Sequence, residues 1–180
     1  MNLLDRTKAL VLIIDVQEKL VNMLSDAKVA QNAIKIAKTA GILDVPCVIT
    51  EQYPKGLGQT LSEIKESLTN VKYFEKTSFS AYKENNFKED LGNFSRNQIV
   101  IFGIETHICV LQTALDLLNA GYEVFVVQDA CGSRADDNKQ AALRRLIHSG
   151  VQIVTTEMVI FELLQSSKHP NFKEVQSIIK

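Results

Sequence analysis

Tryptophan is absent from the 180 residues, and proline, cysteine and histidine number three each. Each scarcity removes a class of protein. No apolar run approaches the roughly 20 residues that cross a bilayer, so no membrane partner is expected. Three widely spaced cysteines, Cys47, Cys109 and Cys131, are an odd count in a chain long enough to bury its own core. They do not make a disulfide framework, and reduced thiols in a cytoplasmic setting fit them better. The histidines, His107, His148 and His169, lie far apart without the spacing of a metal site, so no metal is expected. Charge of either sign is nearly matched, 20 basic against 21 acidic residues for a net of -1. That balance argues against affinity for nucleic acid built on backbone phosphates. No G-x-G-x-x-G or phosphate loop occurs, so no dinucleotide cofactor is implied. The apolar stretch near the N-terminus ends at Asp15 without a small-residue cleavage site, and a signal peptide is not expected.

What remains is a composition of 46% hydrophobic and 23% charged residues, that of an ordinary globular protein. The length suits a single domain over residues 1–180. Continuous β-rich runs at Ala9–Asp15, Pro46–Thr50, Gln98–Gly103, Tyr122–Gln128 and Val151–Thr155, with a weaker one at Val71–Phe74, read as strands covered on both faces. Helical spacing links Val29, Ala33, Ile36 and Ala40. It recurs at Ile108, Leu111, Leu115 and Leu118, and at Ala142, Leu143, Leu146 and Ile147. Gly41, Gly121 and Gly150 each read as a helix stop before a strand. Thr60–Glu63 has the spacing of a capping box, and Phe172–Lys180 reads as a last short helix. The alternation predicts an α/β fold, a doubly wound, Rossmann-like parallel sheet in three layers.

Ligands in such sheets bind at the carboxyl ends of the strands, and three residues stand there. Asp15 follows the first strand, where a carboxylate serves equally as a helix cap or an ion-pair partner. Lys76 follows the weak strand, where a lone lysine is ordinarily a solvated charge. Cys109 falls in the first turn of a helix after Gly103. There the unpaired N–H groups and the helix dipole predict a lowered thiol pKa and a reactive thiolate; the plain alternative is a cysteine packed as a small hydrophobe. Together, a thiol, a carboxylate and an ammonium on one rim make a nucleophile with its base and its electrostatic support. Cys131 reads as structural.

The segments Leu12–Gln17, the Lys76 loop, Gly103–Val110 and Gln128–Arg134 occur in an order and spacing that resembles the isochorismatase-like cysteine hydrolases, over essentially the whole chain. This group includes nicotinamidases and N-carbamoylsarcosine amidohydrolases. Thr50–Gly58 and His169–Glu174 bring the likeness nearest to the isochorismatase domain-containing proteins. The resemblance implies six parallel strands and a catalytic triad of Asp15, Lys76 and Cys109. It implies hydrolysis of a small amide, imide or related C–N substrate through a thioester-type intermediate. It also implies a cis peptide at Ile104–Glu105, with an oxyanion hole from the N–H groups of Glu105 and Cys109, and a homo-oligomer. Gln17, Tyr53, Phe79, Tyr82 and His107 are expected to line the substrate pocket. The loop Glu51–Gly56 lacks the histidines of the metal-dependent nicotinamidases, which argues against both a metal and nicotinamide. True isochorismatases cleave a vinyl ether without a nucleophilic cysteine, and Cys109 favours thiol chemistry. A non-enzymatic binding protein that keeps the pocket is the rival reading.

Overall fold

The computed structural model describes residues 2–179. Its strands are β1 (Ala9–Ile14), β2 (Cys47–Gln52), β3 (Val71–Lys76), β4 (Gln98–Ile104), β5 (Glu123–Gly132) and β6 (Gln152–Val154). They form one six-stranded parallel sheet in the order β3-β2-β1-β4-β5-β6. Every residue of β1 and β4 is buried, as expected for central strands covered by helices on both sides. All six predicted strands are present. β3 and β5 continue beyond their apolar runs, because ladder hydrogen bonds carry Glu75 and Lys76 opposite Glu51 and Gln52, and Cys131 and Gly132 opposite Gly103 and Ile104.

The helices are α1 (Glu18–Val21), α2 (Lys28–Ile42), α3 (Pro54–Leu57), α4 (Ser62–Glu66), α5 (Phe87–Asn93), α6 (Leu111–Asn119), α7 (Asp136–Ser149), α8 (Thr156–Leu164) and α9 (Phe172–Ile179). Lys180, predicted as the end of the last helix, lies outside the described residues. From β1 the chain winds one way through α2 to β2, and from β4 the other way through α6 to β5. Right-handed crossovers in opposite directions place their helices on opposite faces. Accordingly α2 packs with α8 and α9, and α6 with α7.

Three sequence expectations are corrected. Gly41 is not a helix stop: it lies inside α2, and the left-handed turn falls at Asp44 (φ 52°). Glycine is needed there because a Cβ would stand 2.0 Å from the Ser67 carbonyl oxygen. Gly121 (φ 93°) and Gly150 (φ 96°) do close α6 and α7. The capping box does not form, since Thr60 is held instead by its N–H donating to Glu51 Oε1 at 2.7 Å and by a bridge to Gln17. Third, the helix after β4 opens with a π turn, Thr106–Val110. That wider turn advances the buried face of α6 to Leu111, Ala114 and Leu117, leaving Leu115 and Leu118 half-exposed.

Gly103 sets how closely β4 approaches β1. Its φ is 138°, and an added Cβ would lie 1.9 Å from the Ile14 carbonyl oxygen. No side chain fits, so glycine lets the end of β4, followed by a cis Ile104–Glu105 peptide, lie directly against the end of β1.

Candidate active site

The sheet order reverses between β1 and β4, and the crevice at such a switch point is where open α/β sheets hold ligands. Asp15 leaves β1 there in a left-handed conformation (φ 50°), tolerated by aspartate better than by most residues. Cys109 faces it from the π turn after β4. Lys76 reaches over from the end of β3, past the end of β2.

The lysine ammonium stands 2.7 Å from Asp15 Oδ2, and both side chains are wholly buried. Thr50, at the end of β2, donates its hydroxyl to Asp15 Oδ1 at 2.7 Å. Oδ2 has no aligned hydrogen bond, so beyond the ion pair it is free to accept a proton. Lys76 Nζ donates to Gln52 Oε1 at 2.6 Å and to the Ser78 and Phe79 carbonyls at 3.2 Å each. The Cys109 thiol is close enough to Asp15 and Lys76 for both charges to act on it. The three groups singled out at three strand ends therefore meet.

The protonation state differs from the expected one. The Cys109 thiol is pushed up to about 12, first by burial and then by the Asp15 carboxylate, and the Lys76 ammonium opposes this only in part. The π turn does not deliver a standing thiolate. Burial also raises the Asp15 carboxyl, with Lys76 and the Thr50 hydroxyl opposing. A thiol that rests protonated beside a carboxylate of raised basicity is a proton-transfer pair, poised to ionise as it attacks.

The expected pocket residues divide. Tyr53, 60% exposed, and the backbone of the Lys76 loop border a cleft of about 260 Å³ that Pro54, Lys55, Glu75, Thr77 and Glu84 also line. Phe79 is 55% exposed on that same loop. Gln17 braces the neighbouring backbone. It is fully buried, and its amide is used by the Gln52 N–H (2.8 Å) and by the Gln52 and Gly58 carbonyls (3.1 and 2.6 Å). The Tyr82 ring packs edge-on against Tyr122, just before the start of β5, and under the Lys88 ammonium. His107 Nδ1 lies 3.0 Å from the Ser133 hydroxyl and 3.5 Å from Glu105 Oε2. Glu105 stands at the entry of the π turn. Its carbonyl accepts from the Ile108 and Val110 N–H groups, and its carboxylate pairs with Arg134 at 2.5 Å. Among the described residues no cluster of three or more His, Cys, Asp or Glu side chains could hold a metal.

Sequence reasoning missed Thr50, Gln52 and Glu84. The first two end the strand beside β1, so the rim argument that found Asp15 reaches them once the strand order is known. Glu84, in a loop, carries no such signal. A wider surface hollow, about 560 Å³, lies elsewhere, between Leu3, Leu4 and α8. Asp15, Lys76 and Cys109 are not among its lining residues.

Residues 9–158 match the isochorismatase domain. The chain belongs to the isochorismatase family. Isochorismatase domain-containing protein 2 of Danio rerio is 41% identical over 175 residues, spanning 96% of this chain and 88% of that one. Among solved structures, MAR1 ribonuclease from Caenorhabditis elegans superposes with a TM-score of 0.92 at 36% identity, covering 99% of this chain and 92% of that one. YcaC from Pseudomonas aeruginosa, solved with hexane-2,5-diol and covalent acrylamide, gives 0.93 at 26% identity, covering 98% and 91%. The fold is thus that of the isochorismatase-family hydrolases. Among the described residues, no helix is long and apolar enough to cross a membrane.

Proposed function

We propose that this family member is a cysteine hydrolase of small amides, imides or related C–N substrates, with Cys109, Asp15 and Lys76 as its catalytic groups. The observation that carries the reading is the buried Asp15–Lys76 pair at 2.7 Å, near enough to the Cys109 thiol for both charges to act on it. As the sulfur bonds to the substrate carbonyl carbon, the thiol proton passes to Asp15 Oδ2. Asp15 then hands that proton to the leaving nitrogen as the C–N bond breaks, leaving a thioester on Cys109. Water adds to the thioester and gives its proton to Asp15. The C–S bond breaks, the acid departs, and Asp15 returns the proton to the sulfur. Lys76 supplies the positive charge that the passing thiolate needs, and the Glu105 and Cys109 N–H groups are the proposed donors to the oxyanion. The covalent acrylamide in the Pseudomonas relative supports electrophile chemistry in this fold.

The reading needs no metal or cofactor, and its proposed substrate is a small molecule. A cytoplasmic homo-oligomer is the setting proposed for it. The test is a screen of small amides with Cys109→Ala as blank, followed by mass spectrometry for an adduct at Cys109. Turnover lost in the variant, with the adduct on Cys109, supports the reading. Turnover retained by the variant overturns it. So does activity confined to RNA cleavage, the activity named for the C. elegans relative, or to pyruvate release from isochorismate. Binding of a partner with no turnover of any kind favours the scaffold alternative.

A further inference from the structure

The Lys76 ammonium is ion-paired with Asp15 Oδ2 and donates to three oxygens, Gln52 Oε1 and the carbonyls of Ser78 and Phe79. The two carbonyls belong to the loop that follows β3. A loop of this kind aims two carbonyls inward only if something fixes its backbone from outside. Glu84 supplies that fixture. One carboxylate oxygen, Oε1, accepts from the N–H groups of both Thr77 (2.9 Å) and Ser78 (2.7 Å). These bonds hold the Glu84 carboxyl below its usual range, which is the expected mark of a carboxylate engaged by two donors. The far end of the loop is fastened separately to α6, the helix that continues from the Cys109 turn. Ser80 donates its hydroxyl to Asp116 at 2.7 Å, and the Ala81 N–H donates to Thr113 Oγ1 at 3.0 Å.

We propose that Glu84 is a positioning residue of the cysteine site, clamping Thr77 and Ser78 so that the Ser78 and Phe79 carbonyls hold the Lys76 ammonium between Asp15 and Cys109. This rests on the reading that Lys76 supports the sulfur. Glu84 touches neither the thiol nor the base. It acts through two backbone bonds and one side chain, so its effect is on placement, where a shift of about 1 Å is costly. It also ties the exposed Phe79 to the same clamp, because the Phe79 carbonyl is one of the two that face Lys76.

The test compares Glu84→Ala, Glu84→Gln and Lys76→Met with the parent protein. The first readout is the rate of iodoacetamide modification of Cys109 between pH 7 and 10, resolved from Cys47 and Cys131 by mass spectrometry. The second is amide exchange at Thr77 and Ser78. The glutamine side chain in Glu84→Gln retains a carbonyl oxygen that can accept both N–H groups; alanine retains none. The expected result is a rate about tenfold lower across the profile for Glu84→Ala, with exchange at both amides accelerated. Glu84→Gln should stay within about threefold of the parent, its two amides still protected. Modification of Cys109 at the parent rate in Glu84→Ala, while Lys76→Met is slow, overturns the clamp and leaves the triad standing. Parent rates in Lys76→Met overturn the support assigned to Lys76, and the clamp with it. If Lys76→Met fails to fold, the exchange data still decide: unchanged protection of Thr77 and Ser78 in Glu84→Ala refutes the clamp.

Discussion

Replacing Asp15 by asparagine should make Cys109 more reactive toward a simple electrophile while abolishing turnover. With the thiol near 12, about one molecule in ten thousand carries a thiolate at pH 8. The Asp15 carboxylate is one cause of that value. Unit charges about 4 Å apart interact by about 4 kcal/mol at an effective dielectric constant near 20, which is about three pKa units. Asparagine keeps the shape and removes the charge. The buried Lys76 ammonium is then left without its carboxylate, and the nearest group able to become its counter-ion is the Cys109 sulfur. A thiol moved to about 9 would be roughly 900-fold more ionised at pH 8. A less basic thiolate is a poorer nucleophile, with a Brønsted slope of about 0.4–0.5. The net gain is about 30- to 60-fold. The assay is the pH dependence of iodoacetamide modification at Cys109, with circular dichroism to show that the variant is folded. Turnover should fall to background, because no group remains to carry the proton to the leaving nitrogen. A folded Asp15→Asn protein that is modified no faster than the parent would falsify the charge coupling between these two residues.

Alkaline stability gives a second prediction. Cys47, Cys109 and Cys131 are all free, and burial pushes each up to about 12 from an ordinary 9.0. Between those limits the folded chain holds protons that the unfolded chain has lost, so stability falls as pH rises from 9 toward 12. The slope is about 1.4 kcal/mol per pH unit for each thiol. Urea melts at pH 8, 9.5 and 10.5 should show it, and Cys47→Ala/Cys131→Ala should reduce it to the share of one thiol. An undiminished slope in that double variant counts against the assignment. On the acid side, the raised Asp15 carboxyl predicts that turnover fails at a pH above 3.8, the ordinary value for an aspartate, and an acid limb at or below that value rejects Asp15 as base. Gly103→Ala forces a Cβ to within 1.9 Å of the Ile14 carbonyl. It should cost at least about 3 kcal/mol in a thermal or urea melt, and a parent-like melt would show that β1 and β4 can part there.

The architecture was legible because it rests on periodicity. Runs such as Leu10–Ile14 and Ile99–Phe102 are buried on both faces and look it. The rim position of Asp15 followed from the strand that precedes it. Lys76 was harder, since β3 is an edge strand with half its residues exposed, and only the strand order shows that its end overlooks β1. The thiol state was misread for a physical reason. Counting dipoles at a helix start leaves out burial and the neighbouring carboxylate, the two largest causes that push this thiol up. For Gln17 and Tyr82, sequence position gives proximity to a rim but not the direction of a side chain. Gln17 turns back to the Gln52 and Gly58 backbone, and Tyr82 turns to Tyr122. The π turn was illegible altogether, because one residue of extra width leaves the apolar pattern of Leu111–Leu118 almost unchanged.

The carboxylate set against the sulfur also decides how the protein meets its chemical surroundings. Peroxide and disulfides attack thiolates far faster than thiols. A sulfur held protonated by burial and by the Asp15 charge offers little thiolate to either near neutral pH. Oxidative inactivation then becomes a hazard mainly of molecules that have lost this carboxylate or have begun to unfold.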